Sequence, residues 1–189
     1  MNKVMNTKIA VDVDEVLVHF LKPMVKWKGK KLPYKPKYNY LYREIFNCTE
    51  EESQEILKKF YKSREFRSLQ PIPGSQKALF NMSMHYDKMY VLTGRQEIVR
   101  RETEFWIDTH FPGVFDDIIL TNSFTDKEVK KVDICQALGI GLMIDDSIQT
   151  CRECIDAGID ARNFIGDPIY PWCEESDISI KKWDGFFLI

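Results

Sequence analysis

The sequence predicts an α/β protein built on parallel strands buried on both faces. Short, nearly continuous apolar runs alternate with helical stretches over most of the chain. Acidic or hydroxyl residues follow three of those runs immediately. One long stretch between Asp14 and Thr93 carries no convincing strand, which points to an insertion.

The elements follow in order. Lys8-Ile9-Ala10-Val11 reads as the first buried strand and ends at Asp12-Val13-Asp14. Lys88-Met89-Tyr90-Val91-Leu92 is the second and ends at Thr93-Gly94-Arg95. Asp117-Ile118-Ile119-Leu120 is the third, and Gly141-Leu142-Met143-Ile144 the fourth, ending at Asp145-Asp146. Arg162-Asn163-Phe164-Ile165 is a weaker fifth. A helix over 96–110 has Ile98, Val99, Trp106 and Ile107 on its apolar side. Helices over 127–138 and 148–157 each stop at a glycine, Gly139 and Gly158. Strand, helix and strand in this alternation imply right-handed crossovers.

The insertion is expected to be helical and to span 21–69, leaving 1–20 and 70–189 as the core. Within it, Thr49 and Glu52 form a capping box for a helix reaching Tyr61. The run from Lys26 to Tyr40 interleaves lysines with Trp27, Tyr34, Tyr38 and Tyr40. It reads either as a surface that draws in anions and stacks a base, or as a solvated loop whose aromatics anchor the insertion.

Composition narrows the function. The chain has 189 residues, enough for one domain or a core with a modest insertion. Its 27 basic and 29 acidic residues give a formal charge of -2, so a nucleic-acid polymer is not an expected partner. No apolar run approaches the roughly 20 residues of a membrane span. The apolar stretch after Lys8 is broken by Asp12, Asp14 and Glu15, so no signal peptide is read. Five cysteines cannot all pair, and a reducing, cytoplasmic setting fits best. Cys151 and Cys154 have redox- or zinc-like spacing, but Ile148, Cys151 and Ile155 share a helical face, which favours packing. His19, His85 and His110 have no metalloprotease or triad spacing.

The strand-end acids carry the chemistry. Two carboxylates about 4 Å apart repel by roughly 4 kcal/mol at an effective dielectric of 20, so several together call for a cation. Oxygen donors without histidine favour Mg²⁺, which also accepts a phosphate oxygen. In Asp12-Val13-Asp14 the first carboxylate can attack phosphorus, while the second serves the leaving oxygen and then the water as acid and base. Lys131 and the Thr93 hydroxyl can neutralise and hold the phosphoryl oxygens.

These residues resemble the haloacid dehalogenase (HAD) superfamily. The motifs are Ile9 to Val16, Val91-Leu92-Thr93-Gly94-Arg95, the lysine of Lys131-Val132-Asp133-Ile134-Cys135, and Met143-Ile144-Asp145-Asp146. The resemblance implies a HAD-like Rossmannoid three-layer sandwich with strand order 5-4-1-2-3 and a helical cap after the first strand. It implies Asp12 as nucleophile, Asp14 as acid and base, and Thr93 and Lys131 as phosphoryl holders. Mg²⁺ would be held by Asp12, by the backbone carbonyl of Asp14, by Asp145, and by Asp146 in or beside the ion's ligand set. Lys130 is an alternative to Lys131, but the form Lys-x-x-x-Cys-x-x-Leu through Cys135 and Leu138 favours Lys131.

Within that superfamily the sequence is similar to the 5'(3')-deoxyribonucleotidases. Phe66, Leu69, Pro71, Pro73-Gly74, Trp106 and Phe115 carry this similarity. It makes Phe20 a candidate contact to a base. Gly94 and Arg95, beside the phosphate, are the other candidate substrate-binding residues, and Arg95 could equally pair with a structural acid. Glu15 stands where those enzymes have Gly, and Gly94-Arg95 where they have Ser-Pro. The implied substrate is a small phosphate ester, with nucleotides among the candidates. A phosphatase of another metabolite or phosphoprotein, a phosphomutase, and a phospho-accepting signalling module are the alternatives.

Overall fold

The computed structural model describes residues 8–184. Residues 1–7 and 185–189 of the expected core lie outside them. Strands β1 (Lys8–Val11), β2 (Lys88–Thr93), β3 (Asp117–Leu120), β4 (Ile140–Asp145), β5 (Asp160–Phe164) and β6 (Ser179–Ile180) form one parallel sheet. Its order is β3-β2-β1-β4-β5-β6. Read from the other edge, this is the anticipated 5-4-1-2-3 with a short sixth strand added outside β5. The sequence reading lacks β6 because two residues carry no periodicity.

The period of two along each strand sorts side chains to opposite faces. Ile9, Val11, Val91 and Ile144 join one core with Leu79 and Met82 of α5 (Ser75–Ser83) and with Trp106 and Ile107 of α6 (Arg100–His110). Ala10, Leu92 and Met143 join a second with Cys135 of α7 (Lys131–Leu138) and with Cys151 and Cys154 of α8 (Ile148–Asp156). The sheet is thus covered on both sides, giving three layers.

Between β1 and α5 lie α1 (Leu21–Trp27), α2 (Tyr42–Phe46), α3 (Glu50–Tyr61) and α4 (Arg64–Arg67). The Thr49 and Glu52 capping box forms: the Glu52 N–H donates to Thr49 Oγ1 at 3.2 Å, and the Thr49 N–H to Glu52 Oε2 at 2.9 Å. The Trp106 indole donates to the Leu69 carbonyl at 2.9 Å, fastening the end of this segment to α6.

Several local expectations need correcting. The helix placed over 96–110 starts as a 3₁₀ turn at Glu97–Val99, and Ile98 is exposed rather than apolar-facing. The helix placed over 127–138 begins only at Lys131, because 125–130 is a polar loop without apolar spacing. On α8 the buried pair is Cys151 and Cys154, while Ile155 faces out. In the lysine-aromatic run, Trp27 packs on Phe60, and Tyr38 and Tyr40 pack on Trp172, while Tyr34 is fully exposed.

Candidate active site

Parallel pairing places the carboxyl ends of β1, β2 and β4 side by side. Val11 stands opposite Val91 and Ile144, so Asp12 emerges between Thr93 and Asp145. A cavity of about 630 Å³ opens there. Asp12, Asp14, Thr93, Gly94, Arg95, Lys131, Asp145 and Asp146 all line it.

Three carboxylates converge. One oxygen each from Asp12, Asp145 and Asp146 lies within 4.8 Å of the others, and all three side chains are buried. Lys131 Nζ stands 2.9 Å from Asp12 Oδ1 and 2.7 Å from Asp145 Oδ2. It is the lysine that reaches the acids; Lys130 is mostly exposed and pairs with Glu153 at 3.6 Å. Lys131 is the first residue of α7, so the short helix aims it back across the sheet end. Burial opposes its charge, but Asp12 and Asp145 more than offset that and hold it protonated.

Asp145 is fixed from three directions. Its Oδ1 accepts the Ser147 N–H at 2.8 Å, its carbonyl accepts Asn163 Nδ2 at 3.1 Å, and its Oδ2 takes Lys131. Asp146 accepts the indole N–H of Trp172 on Oδ2 at 2.9 Å. Burial first, then Asp145 and Asp12, pushes the Asp146 carboxyl well above the usual range.

Asp12 shows where a cation fits. Its Oδ1 is buried and has no hydrogen-bond donor, because Lys131 approaches it as a charge but out of hydrogen-bonding alignment. Burial raises the Asp12 pKa to about 7; Lys131 pulls it down, and Asp145 and Asp14 push it up. An orphaned oxygen and three buried carboxylates form a hard, anionic donor set suited to a magnesium ion.

Asp14 does not join that cluster. Its carboxylate faces Arg95, which donates from Nη2 to Oδ1 at 2.7 Å and from Nε to Oδ2 at 3.1 Å. Arg95 Nη1 donates to Thr103 Oγ1 at 3.1 Å. Its guanidinium lies 5.6, 5.4 and 5.3 Å from the ring centres of Phe20, Tyr61 and Phe66. Of the two readings of Arg95, substrate contact and pairing with an acid of the protein, the structure has the second: its side chain is 1% exposed and its charge is spent on Asp14.

Phe20 is corrected too. It is completely buried and packs on Phe60, Tyr61 and Phe66, so no base reaches it. The aromatic side chains that do line the cavity are Tyr40, Tyr42, Tyr61, Phe124 and Trp172. Tyr40 belongs to the lysine-aromatic run already read as a candidate surface for stacking a base; nothing in the spacing of the other four marks them, because they come from loops and from the ends of two helices.

Thr93 is buried at the end of β2, and its Oγ1 accepts the Arg95 N–H at 3.3 Å. Gly94 adjoins Ser123: a Cβ at position 94 would lie 3.0 Å from Ser123 Oγ. Glu15 turns away from the site. It adopts a left-handed φ of 63°, and its Oε1 accepts the Phe20 and Leu21 N–H groups at 2.9 and 2.7 Å. It thereby caps α1, whose own N-cap residue offers no side-chain bond.

Comparison with known proteins agrees with this geometry. The family model described as "5' nucleotidase, deoxy (Pyrimidine), cytosolic type C protein" matches residues 6–158. No curated protein matches the sequence significantly. Among solved structures, a "predicted phosphatase" from Clostridium acetobutylicum superposes with a TM-score of 0.66 at 13% identity, covering 95% of each chain. A haloacid dehalogenase-like hydrolase from Streptococcus pneumoniae gives 0.61 at 18% identity over 84% of each chain. The HAD-hydrolase YfnB from Bacillus subtilis, bound to magnesium, gives 0.58 at 18% identity over 94% of this chain and 95% of that one. At such identities the likeness speaks for the fold.

Proposed function

The chain belongs to the 5' nucleotidase, deoxy (pyrimidine), cytosolic type C family, a branch of the HAD phosphatases, and from that premise we propose a magnesium-dependent phosphomonoesterase that works through an aspartyl-phosphate on Asp12. The observation that carries the reading is Asp12 Oδ1. It is buried, has no hydrogen-bond donor and faces the cavity beside Lys131. Once deprotonated, a desolvated carboxylate oxygen held in this way is placed to attack phosphorus.

The residues divide the work. An Asp12 oxygen bonds to phosphorus as the ester P–O bond breaks, and the electron pair leaves with the ester oxygen. Asp14 gives that oxygen its proton. Water then attacks the aspartyl-phosphate, Asp14 takes the water's proton, and the P–O bond to Asp12 breaks, regenerating the carboxylate. Lys131 and the Thr93 hydroxyl hold the equatorial oxygens whose charge must be balanced. Asp12, Asp145 and Asp146 would hold the magnesium ion, with the Asp14 backbone carbonyl as a further donor. When bound, the ion neutralises the acids and the phosphate and polarises the phosphoryl group.

A nucleoside monophosphate is the substrate class that best suits the family and the site. The cavity volume falls within the range of small-molecule pockets, and Tyr42, Phe124 and Trp172 add flat apolar surfaces to its lining. The family's description as a cytosolic type suggests the same location for this chain. Among the described residues, no helix is long and apolar enough to cross a membrane.

The test is hydrolysis of deoxynucleoside monophosphates and of p-nitrophenyl phosphate, with and without magnesium, by wild type and by Asp12→Asn. The variant should lose about a thousandfold or more on every ester. Beryllium fluoride with magnesium should add to Asp12. Turnover by Asp12→Asn, or addition at another residue, rejects the assignment; generic hydrolysis without nucleotide turnover rejects the substrate class alone.

A further inference from the structure

The pair between Arg95 and Asp14 is more than a local ion pair. Both carboxylate oxygens of Asp14 are taken by one guanidinium, in the fork geometry that fixes rotation as well as position. The two partners are not equally placed. The Asp14 side chain keeps 15% of its surface exposed, whereas Arg95 keeps 1%. Asp14 is thus the member presented to the cavity, and Arg95 is the buried support behind it.

That support is itself over-determined. Three of the guanidinium N–H groups are committed, two to Asp14 and one to Thr103, and Thr103 is in turn held by the Val99 carbonyl at 3.0 Å. Three rings surround the cation: Phe20 just before α1, Tyr61 at the end of α3, and Phe66 in α4. Burial works against the charge, but the Asp14 carboxylate outweighs it, so Arg95 stays cationic. A desolvated cation over aromatic faces is held more firmly than an exposed one.

We propose that Arg95 is the positioning residue for Asp14: the helices between β1 and α5 grip the guanidinium, and its fork aims the carboxyl at the leaving oxygen. The inference rests on the phosphatase reading above and adds to it. Arg95 touches neither phosphate nor metal; it acts through Asp14. Its effect is therefore felt in both steps that Asp14 serves, but only the first, delivery of a proton to the departing oxygen, depends on the leaving group. An alkoxide must be protonated as it leaves, whereas p-nitrophenolate departs without help.

The experiment compares wild type, Asp14→Asn and Arg95→Lys on glycerol phosphate and on p-nitrophenyl phosphate, with magnesium saturating. Lysine keeps the charge and loses the fork. Read as the single-turnover release of glycerol or p-nitrophenol, which reports transfer to Asp12 alone, Arg95→Lys should lose at least about tenfold more first-step kcat on the alkyl ester than on the aryl ester, with KM little changed. Asp14→Asn should show the same split, and the double variant should lose no more on the alkyl ester than Asp14→Asn alone. Equal losses on both esters would reduce Arg95 to structural support. A rise in KM on both esters without the kcat split would make it a substrate contact. Either result overturns the proposal. If Arg95→Lys does not fold, Thr103→Val, which frees only Nη1, takes its place; a split of about threefold is expected and its absence counts against the proposal. Wild type that hydrolyses neither ester above the Asp12→Asn background rejects the phosphatase reading, which is a separate outcome.

Discussion

Trp172 donates its indole N–H to Asp146 Oδ2 at 2.9 Å, tying a loop that follows β5 to an acid that follows β4. The indole also stacks on Tyr170, whose hydroxyl donates to the Glu15 carbonyl at 2.8 Å. An acid of the carboxylate cluster is thus steered by a ring that is itself braced from the β1 side.

Trp172→Phe keeps the ring and removes the donor. The Asp146 carboxylate would lose a charge-assisted bond, and magnesium should bind roughly tenfold or more weakly. Calorimetric titration of the ion measures this. Unchanged affinity would mean that the indole does not orient Asp146.

Magnesium binding should strengthen as pH rises. Without the ion, burial keeps a proton on Asp12 up to about pH 7, whereas the ion needs the bare carboxylate. Binding therefore expels a proton from Asp12 below about 7, and Asp146, which burial also raises, adds to the release, so affinity climbs with pH. The rise in melting temperature that magnesium produces, read at pH 5.5, 6.5 and 8, should grow across that series. A constant rise contradicts it.

Glu15 combines a strained backbone with a useful side chain. Glu15→Ala keeps the left-handed φ of 63° and loses the cap, which should cost about 1–3 kcal/mol. Glu15→Gly loses the same cap but relieves about 1 kcal/mol of strain. Urea unfolding should therefore rank wild type above Gly, and Gly above Ala. An Ala variant at least as stable as the Gly variant would remove the strain from the explanation.

Phe20→Ala should behave as a core deletion. The ring is completely buried, so removing it should cost about 3–5 kcal/mol and lower turnover of nucleotides and simple esters alike. A loss confined to nucleotides, in a variant of unchanged stability, would return Phe20 to the substrate.

The sheet and the acidic cluster at its carboxyl end were legible because parallel strands buried on both faces must be apolar nearly throughout. An acid directly after such a run stands out, as Asp12 and Asp145 do. The α3 start was legible because its cap is written within four residues. Other features depend on contacts that no local pattern encodes. Arg95 finds its acid 81 positions earlier, and whether it meets Asp14 or a substrate depends on how the strand ends close. Phe20 is sealed by residues of α3 and α4, so its burial follows from the packing of a segment with weak periodicity. Trp172 sits in irregular chain after β5, where a tryptophan carries no directional signal.

The three rings around Arg95 set a rule for building chimaeras. Grafting the helices of another family member onto this sheet would strip a desolvated cation of its stacking partners. Moving these helices elsewhere would leave a hollow where the guanidinium belongs. Residue 95 and the 20–66 segment therefore make one exchangeable cassette, although 29 positions of chain separate Phe66 from Arg95.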